Sequence, residues 1–171
     1  MPSQLYFFAS IAFGFIAWSV VVTRYIWPRL RLLPRADALR PILILHSFRF
    51  IGLAFMVPGA VSPDLPSAFA HPAAYGDIVA AALALLSLAT LQSRFGVAIA
   101  WIFNLWGSFD LLSAFYHAQA AGLMPGQLGA TYFIPTVLVP LMLITHALAF
   151  RILLQHQSES ATRESYATLS R

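Results

Sequence analysis

The chain has 171 residues, of which 60% are hydrophobic and only 9% charged, and its mean hydropathy is +0.76. A soluble domain of this length cannot bury that much apolar surface, so the composition excludes an ordinary water-soluble fold and requires lipid as the solvent. The formal charge of +4 does not point to nucleic acid, because Arg24, Arg29, Arg31, Arg35 and Arg40 gather around one linker. That clustering is a topology signal. The chain has no cysteine, which excludes disulfides, thiolate metal sites and redox thiols. It also has no lysine, so no retinal-type Schiff base can form.

Five apolar runs are each long enough to cross a bilayer, for which ~20 residues at ~1.5 Å rise suffice. They are residues 5–27, 41–61, 72–92, 96–121 and 131–154. The expected fold is therefore an all-α integral membrane protein with five transmembrane helices in one bundle over residues 1–154, followed by a polar tail, 155–171. Met1–Gln4 has no basic stretch of the kind that opens a signal peptide, so the first run reads as a retained span. It is expected to end at Trp27-Pro28, an interface aromatic followed by a helix breaker. The linker Pro28–Arg40 is short and arginine-rich, and Pro41 suits the first turn of span two. Ser62–His71, with its prolines, reads as a short segment lying at the interface, with span three starting at Pro72. Ser93-Arg94 makes a tight connection, so spans three and four should be antiparallel neighbours. Gly122–Gly129 is a turn-rich loop, and Pro135 and Pro140 should distort span five.

The loops at 62–71 and 122–129 hold no arginine or lysine, whereas the first linker, Arg94, Arg151, Arg163 and Arg171 all fall on the other side. The positive-inside rule then puts the N-terminus outside and the C-terminus in the cytoplasm of a bacterial-type inner membrane.

Polar residues at membrane depth carry the functional reading. Counting from the cytoplasmic helix ends puts His46 and His146 about 6 Å into the core, Arg49 and Asn104 about 10 Å in, and Asp77 and Asp110 about 20 Å in. A charge at such depth costs ~2.5–3.5 kcal/mol on insertion scales, so it is expected to face the bundle interior and a partner. Arg49 can reach Asp110, with Asp77 or Asn104 completing its hydrogen bonds and Ser108 joining as interhelical glue. On span four, Trp106, Asp110, Ser113 and His117 share one helical face by spacing, and Trp101, Asn104 and Ser108 another. The cluster Arg49, Asp77, Asn104, Ser108 and Asp110 reads either as a packing device or as a pocket for a proton, an ion or a small polar or lipid ligand. An accessory membrane subunit has the same architecture.

The alternative is a haem b electron-transfer subunit with His46 and His146 as axial ligands, since two histidines at one depth on different helices are what such a site needs. The residues favour the other arrangement, with at least one of these imidazoles at lipid or the interface and no cofactor or metal bound. No GxSxG, HExxH, P-loop or GxGxxG pattern occurs, so the reading leans away from an enzyme. The expected partners are membrane lipids and a second copy or larger membrane complex.

Overall fold

A computed structural model describes the backbone over residues 2–169 and the side chains over 3–155. Among the described residues the fold is all-helical, without strands, and five helices are long and apolar enough to cross a membrane. They are α1 (Ser3–Leu30), α2 (Arg35–Met56), α3 (Ser67–Thr90), α4 (Gly96–Ala120) and α5 (Ile134–Gln155). The backbone of α5 continues helically into the polar tail as far as Leu169.

Helices α2 to α5 form the packed bundle, and α1 leans chiefly on α5. The pairing of α3 with α4 through the Ser93-Arg94 turn is as expected from its length. The arginine-rich end of the bundle is held by a dry core of Leu39, Leu43, Phe103, Ala149 and Leu153. There Arg151 also lies over the Trp27 ring at 4.2 Å. At the opposite end a second core gathers Phe55, Phe69, Leu128 and Ile134.

Several boundaries differ from the sequence expectation, each for a local reason. Helix α1 does not stop at Trp27-Pro28, because a π-helical turn at Val22–Ile26 absorbs the proline and the helix runs on to Leu30. Helix α2 begins at Arg35, so Pro41 lies inside it rather than in its first turn. Helix α3 begins at Ser67, which removes the separate interfacial segment and puts His71-Pro72 inside the helix.

The loops beyond α2 and α4 are stitched together instead. Ser62 N–H donates to Gln127 O at 3.0 Å, Ala130 N–H to Ala60 O at 2.8 Å, and the Gln127 amide to Asp64 O at 2.9 Å. Gly129, at φ +52°, makes the close approach to Ala60 that a side chain would block. The expected distortion of α5 by Pro135 and Pro140 is a π-helical turn at Ile134–Leu138, and the Trp18 indole donates to Val137 O at 3.0 Å across from α1.

The second half of α2 is 3₁₀ rather than α, over Phe48–Met56. Nine residues is long for this conformation, which seldom exceeds 3–4. Its three-residue period stacks Arg49, Gly52 and Phe55 in one line, and all three are buried. A period of 3.6 would carry Phe55 away from Arg49, so the 3₁₀ geometry is what aims this row into the bundle.

Candidate functional site: an arginine shared by two aspartates

Arg49 projects from the 3₁₀ stretch between α3 and α4 and is 4% exposed. Its Nη2 lies 2.5 Å from Asp110 Oδ2 and 2.6 Å from Asp77 Oδ1, and its Nε donates to the same Asp77 oxygen at 2.7 Å. Nη1 donates to Gly107 O at 3.2 Å. One guanidinium thus spans two carboxylates on two helices, the geometry that a planar fork of donors permits. Asp77 is the eleventh residue of α3, too far along to be a complement to the helix N-terminus.

Three glycines make the cluster possible. A Cβ on Gly52 would strike Asp77, one on Gly76 would strike Asp110, and one on Gly107 would meet the His146 ring at 2.5 Å and Arg49 Nη1 at 3.0 Å. Each charged group therefore lies against bare backbone of a neighbouring helix, the small-residue contact that brings membrane helices close. Gly107→Ala is expected to lower thermal stability in detergent by the ~1–3 kcal/mol of an overpacked core. Gly126→Ala, whose Cβ would meet nothing within 4 Å, is expected to leave it unchanged.

Asn104 and Ser108 do not join Arg49. Ser108 Oγ donates to the Asn104 carbonyl of its own helix at 2.7 Å, so it is not interhelical glue. Asn104 holds His146 instead: its Nδ2 donates to His146 O at 3.2 Å, and its Oδ1 lies 2.7 Å from His146 Nδ1. The two-face division of α4 is also corrected. Asn104 and Asp110 flank Gly107, each about 60° from it at ~100° per residue, so both lie on the one buried face. Trp106 is 41% exposed and lies off that face.

His46 and His146 are both buried, at 0% and 1% exposure, with ring centroids 4.1 Å apart and the Phe103 ring against each. Neither faces lipid or an interface, contrary to expectation, because Asn104 and the Thr145 hydroxyl give them polar partners inside the bundle. Thr145 Oγ1 lies 2.9 Å from His46 Nε2, and its one proton has that nitrogen, Leu141 O and Met142 O within reach. The partner of His146 fixes its tautomer. Asn104 Oδ1 can only accept, so His146 carries its proton on Nδ1. His46 Nδ1 and His146 Nε2 are buried and without a hydrogen-bond partner.

These residues do not fit a haem between them. Axial nitrogens stand ~4 Å apart when each metal–nitrogen bond is ~2 Å, and the ring centres are then farther apart still. Here the centres themselves are 4.1 Å apart.

Two cavities meet at Asp77. One, of about 70 Å³, lies toward the stitched loops and is lined by Phe7, Phe55, Phe69, Phe115, Asp77 and Asp110 among others. The other, of about 80 Å³, lies toward the arginine-rich end, with Leu45, Arg49, Asp77 and Met142 in its wall. A single water needs roughly 10–15 Å³, so each cavity has room for several waters or for a few heavy atoms of a ligand.

The sequence reading identified Arg49, Asp77, Asp110 and the two histidines, and missed Thr145, Phe103 and the three glycines. The glycines had a signal: Gly52 and Gly107 lie three residues from Arg49 and Asp110, and Gly76 adjoins Asp77. Neither the curated proteins nor the solved structures provide a match to the chain. A family model described as a domain of unknown function, DUF8737, matches residues 6–154, which takes in all the site residues, and the chain belongs to that family.

Proposed function

We propose that this is a multi-pass protein of a bacterial-type cytoplasmic membrane, N-terminus outside and C-terminus in the cytoplasm, that works by binding rather than by chemistry. Its Arg49–Asp77–Asp110 pocket takes up a proton, an ion or a small polar ligand. The observation that carries this reading is two carboxylates sharing one guanidinium beside a cavity that both of them line. A pair built only for packing needs one carboxylate per arginine. With both ionised, the second leaves the cluster with one more negative charge than positive, and at membrane depth that excess requires a counter-charge, which a proton on either aspartate or a bound ion supplies.

Infrared difference spectra of the purified protein across a pH series test the pocket. A carboxylic acid band that titrates in the wild type and is altered in both Asp77→Asn and Asp110→Asn is expected. Spectra identical in all three proteins would refute a proton-binding or ligand-binding pocket at this place.

The orientation rests on the arginines, since Arg29, Arg31, Arg35, Arg40, Arg94 and Arg151 fall at one end of the bundle. A reporter fused after Arg171 is expected to be active only if it is one that works in the cytoplasm. A periplasmic signal from that position would invert the topology. The outer face of α1, with Leu5, Phe8, Phe13 and Ile16 exposed, meets lipid or a second subunit in this reading.

A further inference from the structure

We propose that the arginine-rich end of the bundle binds the phosphodiester of an anionic phospholipid, held by Arg31 and Arg151 beside Trp27. The proposal rests on the reading that this end meets a membrane surface, and it is independent of the Arg49 pocket. Arg151 of α5 lies over the Trp27 ring of α1 at 4.2 Å. Stacking occupies the face of a guanidinium and leaves the N–H donors at its edge free. Arg31 N–H donates to Trp27 O at 3.1 Å, which puts Arg31 one helical turn beyond the indole, on its side of α1. Side chains in a helix lean back toward its N-terminus, so Arg31 leans over the turn that carries Trp27. One half-buried indole thus gathers an arginine from each of two helices.

The charge at this end is uncompensated. Among the described residues Arg24, Arg29, Arg31, Arg35 and Arg151 make no side-chain hydrogen bond or ion pair, and the one acid there, Asp37, is paired with Arg40 at 3.7 Å. The chain has no lysine, so each of these cations is a planar fork that matches two phosphate oxygens. The apolar surroundings point to a lipid rather than a free anion. Trp27 is the aromatic type that settles at head-group level, and Leu32 and Leu33 are 78% and 40% exposed among the arginines. Leucines so placed meet acyl chains while the arginines meet phosphate. The excess of positive charge selects a lipid with net negative charge, because a zwitterionic head group brings its own ammonium toward the guanidiniums.

Native mass spectrometry of the purified full chain with phosphatidylglycerol or phosphatidylcholine of the same acyl chains tests this. Phosphatidylglycerol is expected to bind roughly fivefold more tightly. The double variant Arg31→Gln/Arg151→Gln is expected to lose that preference. Arg94→Gln, which removes a charge from the turn at the same end, is expected to keep it. Arg151→Lys retains the charge without the fork and should weaken phosphatidylglycerol binding several-fold. Should loss of the Trp27 contact unsettle the fold, Arg31→Gln alone leaves that contact intact and should weaken binding about twofold. Equal binding of the two lipids, or an equal loss in Arg94→Gln and the double variant, would overturn the site in favour of a diffuse field.

Excess inorganic phosphate distinguishes the source of the anion. Phosphatidylglycerol binding unchanged by it supports a lipid site, whereas displacement would reveal a site for soluble phosphate and overturn the assignment. A chain that stays monodisperse in buffer without detergent would sink the membrane reading and this proposal together. A chain that needs detergent yet shows no preference between the lipids would sink this proposal alone.

Discussion

Arg49→Gln is expected to be the most damaging single substitution in this protein, and more damaging than loss of either of its partners. Removing one member of a buried ion pair typically costs ~3–5 kcal/mol by stranding the other charge. Here the arginine leaves two carboxylates, Asp77 and Asp110, that shared one nitrogen at 2.6 and 2.5 Å. Their mutual repulsion adds to the stranding, so the cost should lie at or above the upper end of that range.

Asp110→Asn and Asp77→Asn behave differently, because each leaves a balanced arginine–aspartate pair with a neutral amide still able to accept a hydrogen bond. Each should cost less than Arg49→Gln, yet more than Arg94→Gln in the exposed turn between α3 and α4. Thermal denaturation of the four variants in one detergent gives the ranking. A loss for Asp110→Asn equal to that for Arg49→Gln would mean that the two aspartates do not share one counter-charge, and the charge argument for the pocket would fall with it.

The second large effect is expected at Asn104, through hydrogen bonds that are fully buried. Asn104→Leu removes the acceptor of His146 Nδ1–H and the donor to His146 O together. The His146 carbonyl keeps its bond within the helix, so the Nδ1–H is the group left unpaired, at a cost of ~1–3 kcal/mol. The variant should lose stability on that scale, and the His146 ring, freed from its anchor, should leave contact with His46. Ser108→Ala, only one turn away, removes a bond to its own helix and should be close to neutral. Imidazole nitrogen resonances report the tautomers independently. One protonated and one bare nitrogen is expected for His146 in the wild type, with the proton on Nδ1. Equal losses for the Asn104 and Ser108 variants would return Asn104 to the role of general packing.

Hydropathy alone determined that the described chain holds five helices of spanning length, because the cost of exposing backbone and apolar surface acts on every residue of a run and is visible locally. The same scarcity of charge made Arg49, Asp77 and Asp110 conspicuous as candidate partners, since a charge at such depth requires one. Which groups actually meet was decided by packing. The 3₁₀ winding of Phe48–Met56 aligned Arg49 with Gly52 and Phe55, and no 3.6-residue count anticipates that line. Gly107 let the His146 ring and the Arg49 side chain approach the same stretch of backbone, between Asn104 and Asp110. The histidines were legible as residues but not as neighbours, because their burial depends on Thr145 and Asn104 supplying partners from other helices. Local composition shows which segments are long and apolar enough to leave water. The partner of each polar group inside them is a property of contacts between helices, which a single chain read in order does not contain.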